Sequence, residues 1–313
     1  MNLVFCGTPL FAVPTLQTLA VAGFHVRQVV TRPDRASGRG LELGQSPVKR
    51  AAQELGLGVL QPETIRNNDE FRAQLEQIAP EAIIVVGYGR IIPQWMIDLP
   101  KLGNINLHAS LLPRYRGAAP IQWAIANGET VTGVTTMRID AGLDTGDILL
   151  QAEERVRPQD TALTLGPRLA HSGAQLMVRT LAGLANRTLQ GRRQDHSHAT
   201  LAPVLSKDDG RIDFSRTARE CWNRLRAFQP WPGAFTTFRG KTLQLHSAEP
   251  APEFALVKAG HFVVENGRLL LGCAHGTALH VLELQVEGKK RMSASNFING
   301  YRPRCDEPVG ARG

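Results

Sequence analysis

Three polar side chains alternate with apolar ones in the middle of the chain, at Asn106, His108 and Ser110. Alternate side chains of an extended strand share a face, so these three groups are expected to point the same way. Polar groups at the carboxyl end of a buried strand lie where open α/β sheets bind ligands. An imidazole beside an amide and a hydroxyl is suited to moving a proton and to hydrogen bonding a substrate. A lone histidine is more often a buried structural residue, but this arrangement favours a functional site.

A second candidate segment is the loop 140–148, which carries Asp140, Asp144 and Asp147. Their spacing of four and then three residues does not match a calcium-binding loop. Asp and Gly are also ordinary turn residues, so a purely structural role stays open. A carboxylate beside His108 would orient the imidazole and hold it in one protonation state. Asp144, in the middle of the loop, is the candidate for that role.

Length and composition indicate a globular protein of two domains. The 313 residues, 42% of them apolar, can bury two ordinary cores. The formal charge of +8 indicates a polyanionic partner. The four cysteines have no paired spacing, so we expect neither a metal site nor a disulfide framework, and a reduced, cytoplasmic setting is the default. We expect no signal peptide and no membrane-spanning segment.

The N-terminal part has the pattern of a doubly wound α/β domain. A strand over Asn2–Cys6, a helix over Phe11–Val21 and a strand over His25–Thr31 follow one another. The turn after the first strand has no G-x-G-x-x-G and no G-K-[ST], which argues against a dinucleotide site and a P-loop. Ala82–Val86 is apolar on both faces, as expected for a central parallel strand. The arginine-rich stretch Arg32–Pro47 is predicted to be an irregular loop, and a loop of this length is usually functional or disordered.

The remaining predicted elements of this part are helices over Val48–Leu55, Asp69–Ile78, Ile91–Ile97 and Ile121–Asn127, and strands near Gly58–Leu60 and Gly133–Ile139.

A polar segment divides the chain into a domain over 1–189, a linker over 190–205 and a domain over 206–313. The second domain begins with an amphipathic helix over Arg216–Phe228. Five short strands in a meander then predict a small β-barrel, a fold that often binds nucleic acids. Asn266-Gly267 is a strong hairpin signal between two of them. The five strands are Ala234–Phe238, Thr242–His246, His261–Glu265, Arg268–Cys273 and Ala278–Leu284.

Short motifs spread along nearly the whole chain carry a family resemblance. They are Gly7–Ala12, Arg32–Arg35, Gly38–Gly40, Ser46–Lys49, Asn106–Pro113, Arg116–Ile121, Gly142–Ile148, Pro230–Ala234 and Gly288–Met292. With them the chain resembles the methionyl-tRNA formyltransferase family. The resemblance implies a doubly wound, Rossmann-like N-terminal formyltransferase domain followed by a smaller OB-like β-barrel domain.

The resemblance also implies the donor and the site residues. The Asn-x-His and Gly-Leu-Asp-Thr-Gly-Asp motifs are shared by other enzymes that use 10-formyltetrahydrofolate, so they specify the donor and not the acceptor. Asn106, His108 and Asp144 are the implied catalytic residues. The implied folate contacts are Ser110, Leu111, Leu112 and Pro113.

The acceptor implied by the Arg32–Pro47 loop and the C-terminal motifs is initiator methionyl-tRNA. Relatives often carry two lysines directly after the Gly-Arg-Gly of the loop, whereas this chain has Leu41 and Glu42. The loop is therefore less basic than the family pattern, which puts in question how much of the tRNA affinity it supplies. The residues expected to contact tRNA are Arg39, Lys207, Lys289, Lys290 and Arg291.

The reaction implied by the resemblance is acyl transfer for translation initiation. The α-amino group of methionine attacks the formyl carbon on N10 of tetrahydrofolate, and negative charge develops on the formyl oxygen. Asn106 and His108 are suitable donors to that oxygen. Asp144 can pair with His108 and help to remove a proton from the amine. We expect a monomer and no covalent enzyme intermediate.

Two other functions stay open from the sequence. A formyltransferase for a small amine, such as an amino-sugar nucleotide, would use the same three residues without needing the basic loop. A non-catalytic tRNA-binding protein would keep the fold and lose the activity. The charge balance argues against the first of these, and the intact catalytic residues argue against the second.

Overall fold

The computed structural model describes residues 1–37, 42–251, 257–304 and 307–310. They form two compact units, and neither unit is continuous in sequence. The first contains Met1–Pro120, Val131–Arg155 and Gly166–Pro203, and the second contains Ile121–Thr130, Val156–Leu165 and the chain from Val204 onward. The predicted domains 1–189 and 206–313 stay a prediction, because two short segments of the N-terminal half group with the second unit.

Most predicted elements of the N-terminal half are confirmed. The strands are β1 (Asn2–Gly7), β2 (His25–Val30), β3 (Arg35–Ser37), β4 (Glu42–Gly44), β5 (Val59–Leu60), β6 (Ala82–Val86), β7 (Asn104–His108), β8 (Val131–Arg138) and β9 (Ile148–Arg155). The helices are α1 (Val13–Val21), α2 (Pro47–Glu54), α3 (Asp69–Ile78), α4 (Gln94–Asp98), α5 (Pro120–Ala126) and α6 (Ala162–Ala185). The sequence did not predict β9 and α6.

The main sheet of the first unit has the order β5-β2-β1-β6-β7-β8-β9 within the described residues. The pairings from β5 to β7 are parallel, and β8 and β9 continue the sheet in antiparallel directions. Every residue of β6 is buried, which agrees with an apolar run covered on both faces. The doubly wound, Rossmann-like class is confirmed for this unit.

Strand β7 presents the candidate site at one end of the sheet. It pairs in parallel with β6, so that Asn106 faces Val85, and in antiparallel with β8, so that His108 faces Thr135. The strand ends at His108. Asn106 and His108 therefore share a face as expected, whereas Ser110 lies beyond the strand and does not continue the alternation.

Two predictions about local structure were wrong. The stretch Arg32–Pro47 is not wholly irregular, because β3 and β4 pair across it with Ala36 opposite Leu43, and this pairing satisfies backbone groups of a long excursion. The helix expected over Ile91–Ile97 begins only after Pro93, because a residue before proline is disfavoured in the α conformation. Arg39 and Leu41 lie outside the described residues.

The second unit contains the predicted antiparallel sheet. Its elements are α7 (Ala218–Ala227), β10 (Ala234–Phe238), β11 (Lys241–Ala251), β12 (Phe262–Glu265), β13 (Arg268–Gly272), β14 (Ala278–Val286), β15 (Met292–Ser293) and α8 (Ala294–Tyr301). The order β10-β11-β14-β13-β12, with β15 on β14, is not the expected meander, because β11 pairs with β14. The Asn266-Gly267 hairpin is confirmed by left-handed backbone at both residues, which a tight turn of this kind requires.

The second unit also includes α5, which precedes β8 in sequence. Its Trp123 packs against Phe228, with ring centroids 5.5 Å apart. The Arg226 guanidinium donates to the carbonyl oxygen of Asp160 at 2.8 Å. In the part of the chain that the structure describes, no helix is long and apolar enough to cross a membrane.

Candidate active site

His108 lies at the end of β7 and its ring is held from two sides. Its Nε2 lies 2.8 Å from the Tyr115 carbonyl oxygen, which only accepts, so Nε2 carries a hydrogen. Its Nδ1 faces Asp144 Oδ2 at 3.6 Å, a distance longer than a hydrogen bond but short enough for attraction once the ring carries a second proton. In the neutral ring Nδ1 is thus the unprotonated nitrogen. A proton that arrives on Nδ1 would lie between the imidazole and the carboxylate.

Asp144 is brought to His108 from a distant loop, as the sequence predicted. One carboxylate oxygen, Oδ2, accepts a hydrogen bond from the Gly117 backbone N–H at 2.8 Å. The His108 side chain is 6% exposed and that of Asp144 is 16% exposed. Low exposure strengthens the interaction between the two groups, because less water screens it. The pair therefore forms a nearly dry site for a proton.

Gly117 supports this geometry through its backbone. Its φ is +120°, and a Cβ added there would lie 2.6 Å from the carbonyl oxygen of Ala202. A side chain at this position would displace either Ala202 or the N–H that binds Asp144. Glycine is thus required here for both conformation and space.

Gly117→Ala is expected to lower the free energy of unfolding by about 1–3 kcal/mol and to lower kcat, because it moves the N–H that binds Asp144. Gly56→Ala is the matched control, since Gly56 also has a positive φ but has no atom within 4 Å of an added Cβ. Thermal unfolding and steady-state kinetics of both variants check this. A Gly117→Ala enzyme with parental kcat would show that this N–H does not position Asp144.

Asn104 and Asn106 lie on the same face of β7, but their side-chain amides differ in burial and in hydrogen bonding. Asn104 is buried, and its Nδ2 donates to the carbonyl oxygens of Met96 at 2.8 Å and Ile97 at 3.0 Å. Asn106 is half-buried, and among the described residues no hydrogen bond is found to its side chain. Its amide is therefore available to a ligand. The ring Nε2–H of His108, by contrast, is hydrogen-bonded to the Tyr115 carbonyl oxygen. From the sequence we expected His108 to be a second donor to the substrate oxygen, and this N–H is already used.

The segment after β7 is braced by buried side chains. The Ser110 hydroxyl is buried and donates to the Arg114 carbonyl oxygen at 2.6 Å. Thr135 Oγ1 donates to the Ser110 carbonyl oxygen at 2.6 Å and accepts from the Leu112 N–H at 3.1 Å. Gln151 donates to the Leu112 carbonyl oxygen at 2.9 Å. The Ser110 side chain thus shapes this loop from inside rather than facing a ligand.

Thr135 and Gln151 could not be singled out from the sequence. They lie on β8 and β9, and their relation to the 110–113 segment exists only once the antiparallel end of the sheet has formed. Leu111 and Pro113 are half-buried and Leu112 is buried. The folate contacts assigned to Ser110–Pro113 stay a prediction, with the backbone and the apolar side chains as the available surface.

Cys6 is a buried core residue and adds no nucleophile to this site. Burial raises the pKa of the Cys6 thiol, so the thiolate is disfavoured. No group of three or more potential metal ligands occurs among the residues that the structure describes.

Basic side chains of the second unit gather around the start of β11 and the end of β14. The carboxylate of Glu287 accepts from the Thr242 N–H at 2.9 Å. This bond lowers the pKa of Glu287, and the nearby ammonium groups of Lys241 and Lys207 act in the same direction. Lys289 and Lys290 follow in the same turn and are exposed. The structure therefore adds Lys241 to the predicted basic residues.

Two further residues, Arg291 and Arg39, were predicted to contact tRNA. Arg291 forms an ion pair with Glu283, which offsets its charge. Arg39 lies outside the described residues, but Asp34 and Lys49, which precede and follow it in sequence, form an ion pair. Asp34 Oδ2 accepts from Lys49 Nζ at 2.5 Å, and this bond lowers the pKa of Asp34.

Comparison with known proteins agrees with this fold. A family model described as formyl transferase matches residues 1–181, and one described as formyl transferase, C-terminal domain, matches residues 204–302. An N-formyltransferase from Helicobacter canadensis, solved with folinic acid and dTDP-3-aminofucose, superposes with a TM-score of 0.67 at 21% identity, covering 89% of this chain and 98% of that one. The fold and the two domain models define a formyltransferase.

The similar sequences are more specific. The chain is 63% identical to the methionyl-tRNA formyltransferase of Koribacter versatilis, covering 99% of each chain. It is 60% identical to that of Acidobacterium capsulatum, covering 99% of this chain and 100% of that one. The chain belongs to the methionyl-tRNA formyltransferase family.

Proposed function

We propose that this enzyme transfers the formyl group of 10-formyltetrahydrofolate to the α-amino group of methionine on initiator methionyl-tRNA. The observation that carries the proposal is the end-to-end identity of 60–63% with enzymes of that name, which includes the second unit. The basic side chains of that unit support a polyanionic acceptor. The Asn106 amide, which has no hydrogen-bond partner among the described residues, lies on the same strand face as the imidazole of the His108–Asp144 pair, and this arrangement supports acyl transfer.

In the proposed reaction one carbon–nitrogen bond forms and another breaks. The nitrogen of the methionyl amine bonds to the formyl carbon, and the bond from that carbon to N10 of tetrahydrofolate breaks when the tetrahedral intermediate collapses. Asn106 donates to the oxygen that becomes negative. The His108–Asp144 pair takes a proton from the attacking amine, directly or through water, and this proton is passed to N10 as it leaves.

The alternative acceptor, an amino-sugar nucleotide, has weaker support. The solved sugar formyltransferases are about one-fifth identical to this chain, so their likeness concerns the fold alone. A small amine would also make no use of the exposed lysines near β11 and β14.

A transfer assay tests the proposed function. The purified chain is incubated with 10-formyltetrahydrofolate and charged initiator tRNA, and formylmethionyl-tRNA is separated after mild hydrolysis. Formation of that product, and its loss when the donor is omitted, is the expected result. Absence of product with active donor and correctly charged tRNA would reject the function.

Lys289→Ala combined with Lys290→Ala is expected to weaken tRNA binding and to reduce the slope of log K against log salt by about one for each lost phosphate contact. The matched control is Arg291→Ala, since Arg291 is already paired with Glu283 and should change the slope less. Filter binding at several salt concentrations gives both values. A double variant with an unchanged slope would remove these lysines from the proposed interface.

A further inference from the structure

Gln194 lies in the segment predicted to be a linker, yet the residue is only 6% exposed. Both ends of its side-chain amide form hydrogen bonds. Its Nε2 donates to the carbonyl oxygens of Asp144 at 2.9 Å and Gly146 at 2.7 Å. Its Oε1 accepts from Arg116 Nε at 3.2 Å and Nη2 at 2.7 Å. A side-chain amide has two N–H hydrogens and two acceptor lone pairs, and all four are used here. The orientation of the amide is therefore fixed.

The backbone that Gln194 binds is one that needs support. Asp144 has a φ of +51°, a conformation that non-glycine residues adopt at an energetic cost. The preceding loop residues Ala141, Gly142 and Leu143 are exposed and offer little packing. The two bonds from Gln194 hold the carbonyl groups of Asp144 and Gly146, and the first of these directly follows the Cα that carries the carboxylate facing His108.

Arg116, whose guanidinium binds Gln194, is itself held in place. Its guanidinium is buried, its backbone N–H donates to the Thr200 carbonyl oxygen at 2.8 Å, and its carbonyl oxygen accepts from the Ala202 N–H at 2.7 Å. Gly117, the next residue, donates its N–H to the Asp144 carboxylate. The Asp144 loop is thus tied to residues 116 and 117 twice, through its carboxylate to the Gly117 N–H and through Gln194 to the Arg116 guanidinium.

We infer that Gln194 is a positioning residue for formyl transfer, which acts by fixing the Asp144 backbone so that the carboxylate faces His108. The inference rests on the proposed function. Gln194 touches neither substrate nor reacting atoms, and its effect passes through Asp144.

Gln194→Glu is the discriminating variant. The glutamate keeps the size of the side chain and can still bind Arg116, but it turns an acceptor oxygen toward two carbonyl oxygens and loses both donors. We expect kcat to fall by up to about a hundredfold, the cost of misplacing a reactive group by about 1 Å, while KM for the folate and for tRNA stays at the parental value. Gln53→Glu, which adds the same charge at an exposed position of α2, is the control and should leave kcat unchanged.

A second measurement does not depend on activity. The Gly117 amide hydrogen is bound by the Asp144 carboxylate, so its exchange with solvent reports whether that carboxylate is in place. In Gln194→Glu it should exchange faster than in the parent, with protection of β6 amides unchanged.

A double variant gives a third measurement. Combining Gln194→Glu with Asp144→Asn should lower kcat no further than Asp144→Asn alone, because both act through one group.

Parental kcat and parental Gly117 exchange in Gln194→Glu would overturn the inference, as would a fully additive loss in the double variant. If the parent enzyme formylated no methionyl-tRNA, the proposed function would fail, and the Gly117 exchange rate would still decide whether Gln194 positions Asp144.

Discussion

Asp144→Asn is expected to lower kcat by about 10²–10⁴-fold, the usual contribution of a positioned acid–base group. The substitution keeps the shape of the side chain and an oxygen that can accept from Gly117 N–H, so the loop should retain its fold. What is lost is the negative charge 3.6 Å from His108 Nδ1, and with it the stabilisation of a proton taken from the amine. Affinity for tRNA should be unchanged, because the carboxylate acts on the reacting atoms.

Asp140→Asn is the matched control within the same loop. Asp140 Oδ1 accepts from Gly142 N–H at 3.0 Å and from Thr145 Oγ1 at 2.7 Å, and an asparagine oxygen can accept both. Single-turnover rates at saturating donor and tRNA compare the two variants. A parental rate in Asp144→Asn, or an equal loss in Asp140→Asn, would contradict the assigned role of Asp144.

Asn106→Ala is expected to lower kcat by about 10²–10³-fold, the cost of removing one donor to a developing oxyanion. The expectation is specific to Asn106, because the Nε2–H of His108 is already bonded to the Tyr115 carbonyl oxygen. Stability should change little, since no hydrogen bond of the described structure involves the Asn106 side chain.

Asn104→Ala gives the opposite pattern and serves as the control. It removes two buried hydrogen bonds to the backbone of α4, so the free energy of unfolding should fall by about 1–3 kcal/mol while kcat at low temperature is largely kept. Thermal unfolding and kcat of the two variants separate the roles. A large stability loss in Asn106→Ala with an intact kcat would make it a structural residue.

The core of the site could be predicted from sequence because its signal is local. The shared direction of Asn106 and His108 was predicted from the two-residue period of a strand, and both residues lie in β7. For Ser110 the same prediction was wrong. The strand ends at His108, so the Ser110 hydroxyl turns inward to Arg114. The alternation of residue types gives no sign of where the backbone leaves the sheet.

Other features depend on contacts between distant parts of the chain. Gln194 stands in a polar segment with no periodicity, and its role appears only when Asp144 and Arg116 are beside it. Lys241 joins Lys289 and Lys290 because β11 pairs with β14, a pairing between strands that are not consecutive. Propensity and periodicity carry no information on such pairings, whereas family motifs do.

The central claim is that the amine acceptor is methionyl-tRNA. Its most direct test is the ratio of kcat/KM for charged initiator tRNA to kcat/KM for a dTDP-amino sugar, measured on one enzyme preparation with 10-formyltetrahydrofolate. The charged surface of the second unit predicts a ratio far above one that falls as salt is raised, because phosphate contacts contribute to tRNA binding and weaken with salt. A ratio below one at low salt would contradict the proposed acceptor and favour a small amine.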